Sequence, residues 1–146
     1  MYVFRSMTLN DASVIVEIEK TLFTDPWPSE SFVREPFEND KSFAFVAENE
    51  SEIIGYIMGW YIEREIHIGN VAVKRQHQRH GVGTYLIDSI LDHFFDFEIC
   101  FLEVRETNHV AQKLYEKLGF KKVYIRKSYY DNGENALIMS KQRENL

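Results

Sequence analysis

The segment Val71–Thr84 has the composition and order of an anion-binding loop. It reads Val-Ala-Val-Lys-Arg-Gln-His-Gln-Arg-His-Gly-Val-Gly-Thr, a predicted strand end followed by a basic loop and two glycines that open a predicted helix. Glycines let backbone N–H groups approach an anion closely, and a helix N-terminus adds a partial positive charge. Further positive charge comes from Arg75, Arg79 and His80. The pattern predicts a diphosphate site, although the same glycines would also suit tight helix–strand packing.

Glu103 is the one charged residue inside the apolar run Ile99–Val104. A carboxylate at this position reaches solvent at the strand end, pairs with a base such as Arg105, or lines a cleft. In a cleft it could act as a general base. The pKa of a peptide α-amine is near 8, so roughly a tenth of it is neutral at pH 7 and a modest base suffices.

Two other side chains have reactive groups but ordinary surroundings. Tyr115 lies at helical spacing with Ala111 and Leu118, which is typical of a core tyrosine. Cys100 lies in the middle of a predicted strand with no histidine near it in the sequence, so we expect a buried, inert thiol rather than a nucleophile.

Two aromatic segments interrupt the predicted elements. They are Asp25–Pro28, which contains Trp27, and the pair Tyr129-Tyr130. Such segments either cover the hydrophobic core or form the walls of a binding slot, and aromatic walls suit an extended chain.

The elements that position these residues follow from hydrophobic periodicity. Thr8–Asp11 is a capping box, with Asp11 in place of the usual Glu, and a short helix follows Ser29 and ends near Pro36. The nearly continuous apolar run Ile99–Val104 is typical of a strand covered on both faces. The complete prediction is strands at Tyr2–Arg5, Ser42–Glu48, Ile53–Ile62, Ile66–Val73, Ile99–Val104, Phe120–Arg126 and Ala136–Ser140, with helices after Asp11 and Ser29, from Gly81, and at Asn108–Leu118.

This order, βααβββαβαββ, implies a mixed α/β sheet. The unit strand–helix–strand over Ile66–Val104 requires a parallel, right-handed crossover within an otherwise largely antiparallel sheet. A length of 146 residues fits one domain with its own core.

Composition limits the class of protein. The 17 basic and 23 acidic residues give a net charge of −6, which argues against nonspecific nucleic-acid binding and mildly favours a cationic substrate such as an amine. The single cysteine excludes an intrachain disulfide and a thiolate metal site. No apolar run approaches the roughly 20 residues of a membrane helix, so we expect a cytoplasmic protein without metal or membrane contacts.

Gln78–Gly83 resembles the Gln/Arg-x-x-Gly-x-Gly/Ala signature of the GNAT acetyltransferases, in which this loop holds the pyrophosphate of acetyl-CoA. Leu102–Asn108 and Leu114–Phe120 resemble the RimI-like members of that family. The similarity spans nearly the whole chain and includes Ile18-Glu19, Pro26-Trp27 and Arg126–Tyr130. It implies the GNAT fold over residues 1–146: a mostly antiparallel sheet of about seven strands with a central parallel pair, and four helices. One departure is Lys74-Arg75, where many relatives have Asp-Pro.

The resemblance also implies roles for single residues. Glu103 would be the general base, and Tyr115 would give its proton to the departing CoA thiolate. Trp27, Tyr129 and Tyr130 would frame the acceptor slot. Acetyl-CoA would enter a V-shaped gap between the two parallel strands. Its contacts would be Val71, Ala72, Val73, Gln78, Arg79, His80, Gly81, Val82, Gly83, Thr84, Asn108 and Tyr115.

The function that the resemblance implies is direct acetyl transfer, in a ternary complex, to the N-terminal amine of a protein, with a small-subunit ribosomal protein as the expected acceptor. The chain would act as a monomer or weak dimer. One alternative is the same cofactor with a lysine side chain, polyamine or antibiotic amine as acceptor. Another is a noncatalytic acyl-CoA sensor, against which the presence of Glu103, Asn108 and Tyr115 together argues.

Overall fold

The computed structural model describes residues 1–23 and 26–144, so Asp25 of the predicted aromatic loop lies outside the described residues. The strands are β1 (Tyr2–Ser6), β2 (Ser42–Asn49), β3 (Glu52–Ile62), β4 (Glu65–Val73), β5 (Ile99–Arg105), β6 (Lys121–Arg126) and β7 (Ala136–Gln142). The α-helices are α1 (Ala12–Leu22), α2 (Glu30–Val33), α3 (Glu35–Glu38), α4 (Val82–His93) and α5 (His109–Lys117).

The seven strands form one sheet in the order β1-β2-β3-β4-β5-β7-β6. Only β4 and β5 pair in parallel, and every other neighbouring pair is antiparallel. The predicted mixed sheet with a central parallel pair is therefore confirmed. The single short helix predicted after Ser29 is instead two four-residue helices, α2 and α3, separated at Arg34.

Helices cover both faces of the sheet because α1 and α4 each carry an apolar stripe. Ile15 and Ile18 of α1 pack in one core, together with Tyr56 of β3. Leu86 and Ile90 of α4 pack in the other core. The sheet thus separates two apolar layers, and a break in the sheet would connect one side of the molecule with the other.

The start of α1 is held by Asp11. Its carboxylate accepts a hydrogen bond from the backbone N–H of Thr8 at 2.7 Å, as a capping box requires, and the chain enters the helix through a 3-10 turn. The Arg5 guanidinium donates to the same carboxylate at 2.8 Å and 3.0 Å. The hydrogen bond from Arg5 lowers the pKa of Asp11 to about 2.

The prediction that β5 is covered on both faces is wrong. Cys100, Leu102 and Val104 are buried, whereas the alternate residues Phe101 and Glu103 are partly or largely exposed. One face of β5 packs in the core beneath α4, and the other face lines a cleft. An apolar residue that lines a cleft produces the same sequence pattern as one in a core.

Candidate active site

The parallel strands β4 and β5 separate halfway along their length. Their pairing runs from Glu65↔Ile99 to Ile68↔Leu102 and then stops. Beyond that point β4 continues alongside β3, and β5 continues alongside β7. The predicted V-shaped gap is therefore confirmed, and it opens into a cleft of about 1180 Å³.

A bulge in β4 lies at the start of this gap. Asn70 pairs with Met58 and Ile68 pairs with Gly59, so Gly69 has no counterpart in β3. A Cβ atom at Gly69 would lie 2.8 Å from the rings of both Trp27 and Trp60. Glycine at this position allows the two indoles to pack directly against the backbone of β4.

The gap exposes one backbone edge of β4. Lys74 N–H donates to Ile54 O of β3 at 2.8 Å, and alternation along a strand directs the backbone groups of Val71 and Val73 to the opposite edge, towards β5. The side chain of Ala72 packs in the core beneath α1 and its backbone faces β3. Of the three predicted β4 contacts, Val71 and Val73 face the gap and Ala72 does not.

The predicted diphosphate loop leads into the first turn of α4. Gly81 precedes the helix with φ +82°, a conformation that favours glycine, and a Cβ atom there would meet nothing within 4 Å. The Val82 side chain is in the core, so only its backbone faces the loop. Gln78 Nε2 donates to Val73 O at 3.0 Å, which ties the loop to the end of β4.

The basic residues of the loop divide into two groups. Arg75 donates to the carbonyl oxygen of Thr21 at the end of α1, at 3.1 Å, so its guanidinium is held against α1. Lys74 and His77 lie 3.4 Å and 3.3 Å from Glu52. The exposed residues near the glycines are Arg79, His80 and Gln78. Lys74-Arg75, the departure from the family pattern, thus holds neighbouring elements together.

Glu103 lies on the cleft side of β5 with 36% of its side chain exposed. Its Oε1 atom is 3.8 Å from Arg126 Nη1. Burial, and then a hydrogen bond with Glu103, raise the pKa of Tyr129. The sequence left three positions possible for Glu103, and the structure combines two of them. Glu103 lines the cleft, and it also lies beside an arginine. That arginine is Arg126, and Arg105 lies 3.6 Å from Glu134.

Tyr115 and Asn108 line the cleft from the α5 side of the gap. Burial, and then the nearby Tyr130, raise the pKa of Tyr115 to about 12, so its hydroxyl stays protonated at neutral pH. The Asn108 side chain accepts a hydrogen bond from the backbone N–H of Ala111 at 3.1 Å and caps α5. Asn108 therefore caps the helix through its side-chain oxygen, which leaves its side-chain nitrogen to contact a ligand.

Aromatic side chains form opposite walls of the cleft on its other side. Trp27 lies on one wall, between Phe32 and Trp60, with ring centroids 6.1 Å and 6.3 Å away. Tyr129 and Tyr130 form the opposite wall, and their rings meet edge to face at 5.2 Å. The predicted substrate residues thus line one slot, whose floor is the sheet.

Three residues of the site have no role in the sequence prediction. Glu19 is 2% exposed and accepts hydrogen bonds from Trp27 N–H at 2.8 Å, from Asn70 Nδ2 at 2.6 Å and from the Tyr56 hydroxyl. Gly69 forms the bulge and Arg126 lies beside Glu103. Glu19 and Arg126 lie in segments that resemble the family, but that resemblance gave them no role, and their contacts join distant segments of the sequence.

Among residues 1–23 and 26–144, no group of three or more His, Cys, Asp or Glu side chains is arranged to hold a metal ion. No helix in the described part of the chain is long and apolar enough to cross a membrane.

Comparison with known proteins agrees with this geometry. Residues 12–120 match the model of the Acetyltransferase (GNAT) family. A Bacillus subtilis (strain 168) protein with the provisional name [ribosomal protein bS18]-alanine N-acetyltransferase is 39% identical over 138 residues, covering 92% of this chain and 91% of that protein. An N-alpha-acetyltransferase of Sulfurisphaera tokodaii is 33% identical over 154 residues, covering 95% of this chain and 92% of that protein.

Solved structures show the same architecture. The crystal structure of the ribosomal-protein-S18-alanine N-acetyltransferase from Escherichia coli superposes with a TM-score of 0.90 at 26% identity, covering 100% of this chain and 96% of that one. The expectation of a GNAT fold is therefore confirmed. The chain belongs to the Acetyltransferase (GNAT) family, and within that family it is similar to the RimI-like N-acetyltransferases.

Proposed function

We propose that the protein transfers an acetyl group from acetyl-CoA to the N-terminal α-amine of a protein, with a ribosomal protein as the acceptor. The observation that carries this proposal is the gap between β4 and β5, which connects a basic, glycine-containing loop on one side with an aromatic slot on the other. All seven strands belong to one sheet, which supports a single N-acetyltransferase domain over residues 1–146.

The residues at the loop fit a diphosphate. Gly81 leaves open space where a side chain would otherwise stand, and the first turn of the 12-residue helix α4 supplies unpaired backbone N–H groups. Arg79 and His80 add positive charge at the same point. Leu114 is 3.7 Å from the position of a Cβ atom on Gly83, an ordinary van der Waals distance, so packing does not require glycine there and the diphosphate interpretation is favoured.

The exposed edge of β4 fits the extended arm of CoA. The backbone N–H groups of Val71 and Val73 face the gap, where they can donate as they would to a neighbouring strand. A donor at this point can also polarise a thioester carbonyl and stabilise the charge that develops on its oxygen. The thioester supplies the activated acetyl group.

Glu103 is suited to accept the proton of the acceptor amine. It lies on the slot side of β5, partly exposed, so an amine or a bridging water can reach it. The α-amine attacks the thioester carbon from this side, the C–S bond breaks, and the amine proton passes to Glu103.

Tyr115 is suited to meet the departing sulfur on the other side of the gap. Its raised pKa keeps the hydroxyl protonated, so it donates a hydrogen bond, and then its proton, as negative charge builds on the thiolate. Cys100 offers no alternative route, because its thiol is fully buried and burial raises its pKa to about 12. Transfer is therefore direct, without an acetylated enzyme.

The choice of a protein N-terminus rests on the relatives and on the slot. The Bacillus subtilis protein is named as an alanine N-acetyltransferase of ribosomal protein bS18 and the Sulfurisphaera tokodaii protein as an N-alpha-acetyltransferase, and both are more than 30% identical to this chain. Aromatic walls at Trp27 and Tyr129 can hold an extended backbone close to the reacting amine. The net charge of −6 favours the basic tails that ribosomal proteins tend to carry.

The test presents one basic peptide in two forms, with a free N-terminus or with a blocked N-terminus and an internal lysine. CoA release is expected only with the first form, and Glu103→Gln should reduce that rate most at neutral pH, with recovery as rising pH deprotonates the amine. Equal or faster turnover of the blocked peptide would assign the enzyme to lysine acetylation instead. Activity on spermidine alone would assign it to small amines.

A further inference from the structure

Arg126 lies at the acceptor side of the cleft, at the end of the edge strand β6. Its guanidinium is oriented by Tyr124, whose hydroxyl oxygen is 3.3 Å from Nε and 3.2 Å from Nη2. The remaining nitrogen, Nη1, lies 3.8 Å from Oε1 of Glu103. The ring of Tyr129 is 5.6 Å from the guanidinium carbon and flanks it. Arg126 therefore presents one donor nitrogen beside the group that is proposed to take the amine proton.

Arg126 and Glu103 form a loose ion pair on the cleft side of the sheet. A distance of 3.8 Å is too long for a hydrogen bond, so the two side chains attract each other without pairing closely. Within residues 1–23 and 26–144, the hydrogen bonds from Arg126 to Tyr124 use Nε and Nη2, and the Tyr129 hydroxyl also lies within reach of the guanidinium. A donor beside a cleft, held in place by its other nitrogens, is suited to bind an oxygen atom of the acceptor.

The chemistry of a peptide N-terminus matches this pair of groups. In an amino-terminal residue the carbonyl oxygen lies only about 3 Å from the amine nitrogen, because two covalent bonds separate the amine from the carbonyl carbon. An amine at Glu103 therefore brings that oxygen next to Nη1. A lysine ε-amine has four methylene groups before its own backbone, and a polyamine has no carbonyl at all.

We propose that Arg126 selects peptide N-termini by donating a hydrogen bond from Nη1 to the carbonyl oxygen of the first acceptor residue, an inference that rests on the proposed function. The positive charge of Arg126 also favours a peptide over a polyamine. A polyamine that places one amine at Glu103 brings its second ammonium group into the same cleft, where like charges repel. Arg126 thus favours the peptide and disfavours its main competitor.

The test compares three variants on two acceptors, a basic peptide with N-terminal alanine and spermidine. Arg126→Met removes the charge and the donors at similar length, and Arg126→Lys keeps the charge but loses the planar donor group. Lys127→Met is the control, because it removes the same charge from the adjacent exposed residue. CoA release gives kcat/KM, and calorimetry with CoA-saturated enzyme gives the Kd of the peptide.

Arg126→Met is expected to lose about ten- to a hundredfold in kcat/KM for the peptide, the range for a hydrogen bond with a charged partner, with a matching rise in peptide Kd. Its activity on spermidine should stay equal or rise. Arg126→Lys should weaken peptide binding but still disfavour spermidine, and Lys127→Met should match the wild type.

Two results would overturn the inference while the proposed function stands. One is a wild type that prefers the peptide while the kcat/KM of Arg126→Met for the peptide stays within twofold of the wild-type value. The other is an equal loss on both acceptors, which would mean that Arg126 acts only through Glu103. A wild type that prefers spermidine would instead refute the proposed function, and the inference with it.

Discussion

Replacing Glu19 by glutamine is expected to loosen the wall formed by Trp27 without disturbing the diphosphate loop. One carboxyl oxygen of Glu19 accepts hydrogen bonds from the Tyr56 hydroxyl and from Asn70, and the other accepts from the backbone N–H of Trp27 at 2.8 Å. Burial, and then Glu19, raise the pKa of Tyr56, so the phenol is the donor in this contact. Three donors therefore converge on one buried side chain.

The size of the effect follows from counting acceptors. Glutamine offers one oxygen and one NH2 group, so it cannot satisfy donors on both sides. With its oxygen towards Tyr56 and Asn70 it loses the hydrogen bond from Trp27, and in the opposite orientation it loses two. The first orientation costs less, about 2 kcal/mol for one bond and one unsatisfied buried donor. That is a change of about thirtyfold in the equilibrium between held and released Trp27.

Urea unfolding and steady-state kinetics measure this effect. We expect Glu19→Gln to lower the free energy of unfolding by about 2 kcal/mol and to raise the KM for the peptide several-fold. The Kd of acetyl-CoA should not change, because the favoured orientation keeps the hydrogen bond from Asn70 beside the β4 edge, and the glycines lead into α4 on the opposite face of the sheet. Tyr56→Phe is the control, since it removes a donor from the opposite oxygen and should cost stability alone. Equal effects on peptide KM in both variants, or none in either, would refute the reasoning.

Four further changes test other parts of the molecule. Gly81→Glu should abolish acetyl-CoA binding in calorimetry, whereas Gly133→Glu, at a similar φ of +86° and also in open space, should not. Tyr115→Phe should lower kcat about 10²- to 10³-fold in steady-state assays while calorimetry shows unchanged acetyl-CoA affinity. Cys100→Ala should keep its kcat, and an inactive but folded variant would contradict direct transfer. Asp11→Asn should lose about 2 kcal/mol of stability at pH 7 in urea unfolding. The pKa of Asp11 is lowered in the folded state, so the wild type loses this advantage as pH falls from about 4 to about 2, and little difference should remain at pH 2.

The elements and the position of the glycine loop before α4 could be predicted because their signals are local in sequence. Periodicity locates α4 and the strands to within a residue or two, and the position of Gly81 before a helix follows from the order of neighbouring residues. Tyr115 shows the limit of such signals. Its spacing is that of a core residue and it is indeed buried, yet it also lines the cleft.

The contacts that shape the cleft could not be predicted, because they join distant segments. Glu19 and Asn70 are 51 residues apart in sequence, and Arg75 lies 54 residues from the Thr21 carbonyl that it caps. The approach of Arg126 to Glu103 depends on the register of β6 and β7, which includes a bulge. For Phe101 the sequence predicts burial where the structure has a cleft, because an apolar residue facing a cleft looks like a core residue in the sequence.

The break between β4 and β5 has a consequence for the lifetime of the protein. Beyond Ile68 and Leu102 the two halves of the sheet have no ladder between them, so a bound pantetheine arm would replace the missing strand and join them. A ligand that binds only the folded state at a hundred times its Kd adds about 2.7 kcal/mol of stability. Proteases would then degrade the enzyme fastest when CoA and its acetyl ester are both scarce, and the total supply of the cofactor would set how much enzyme persists.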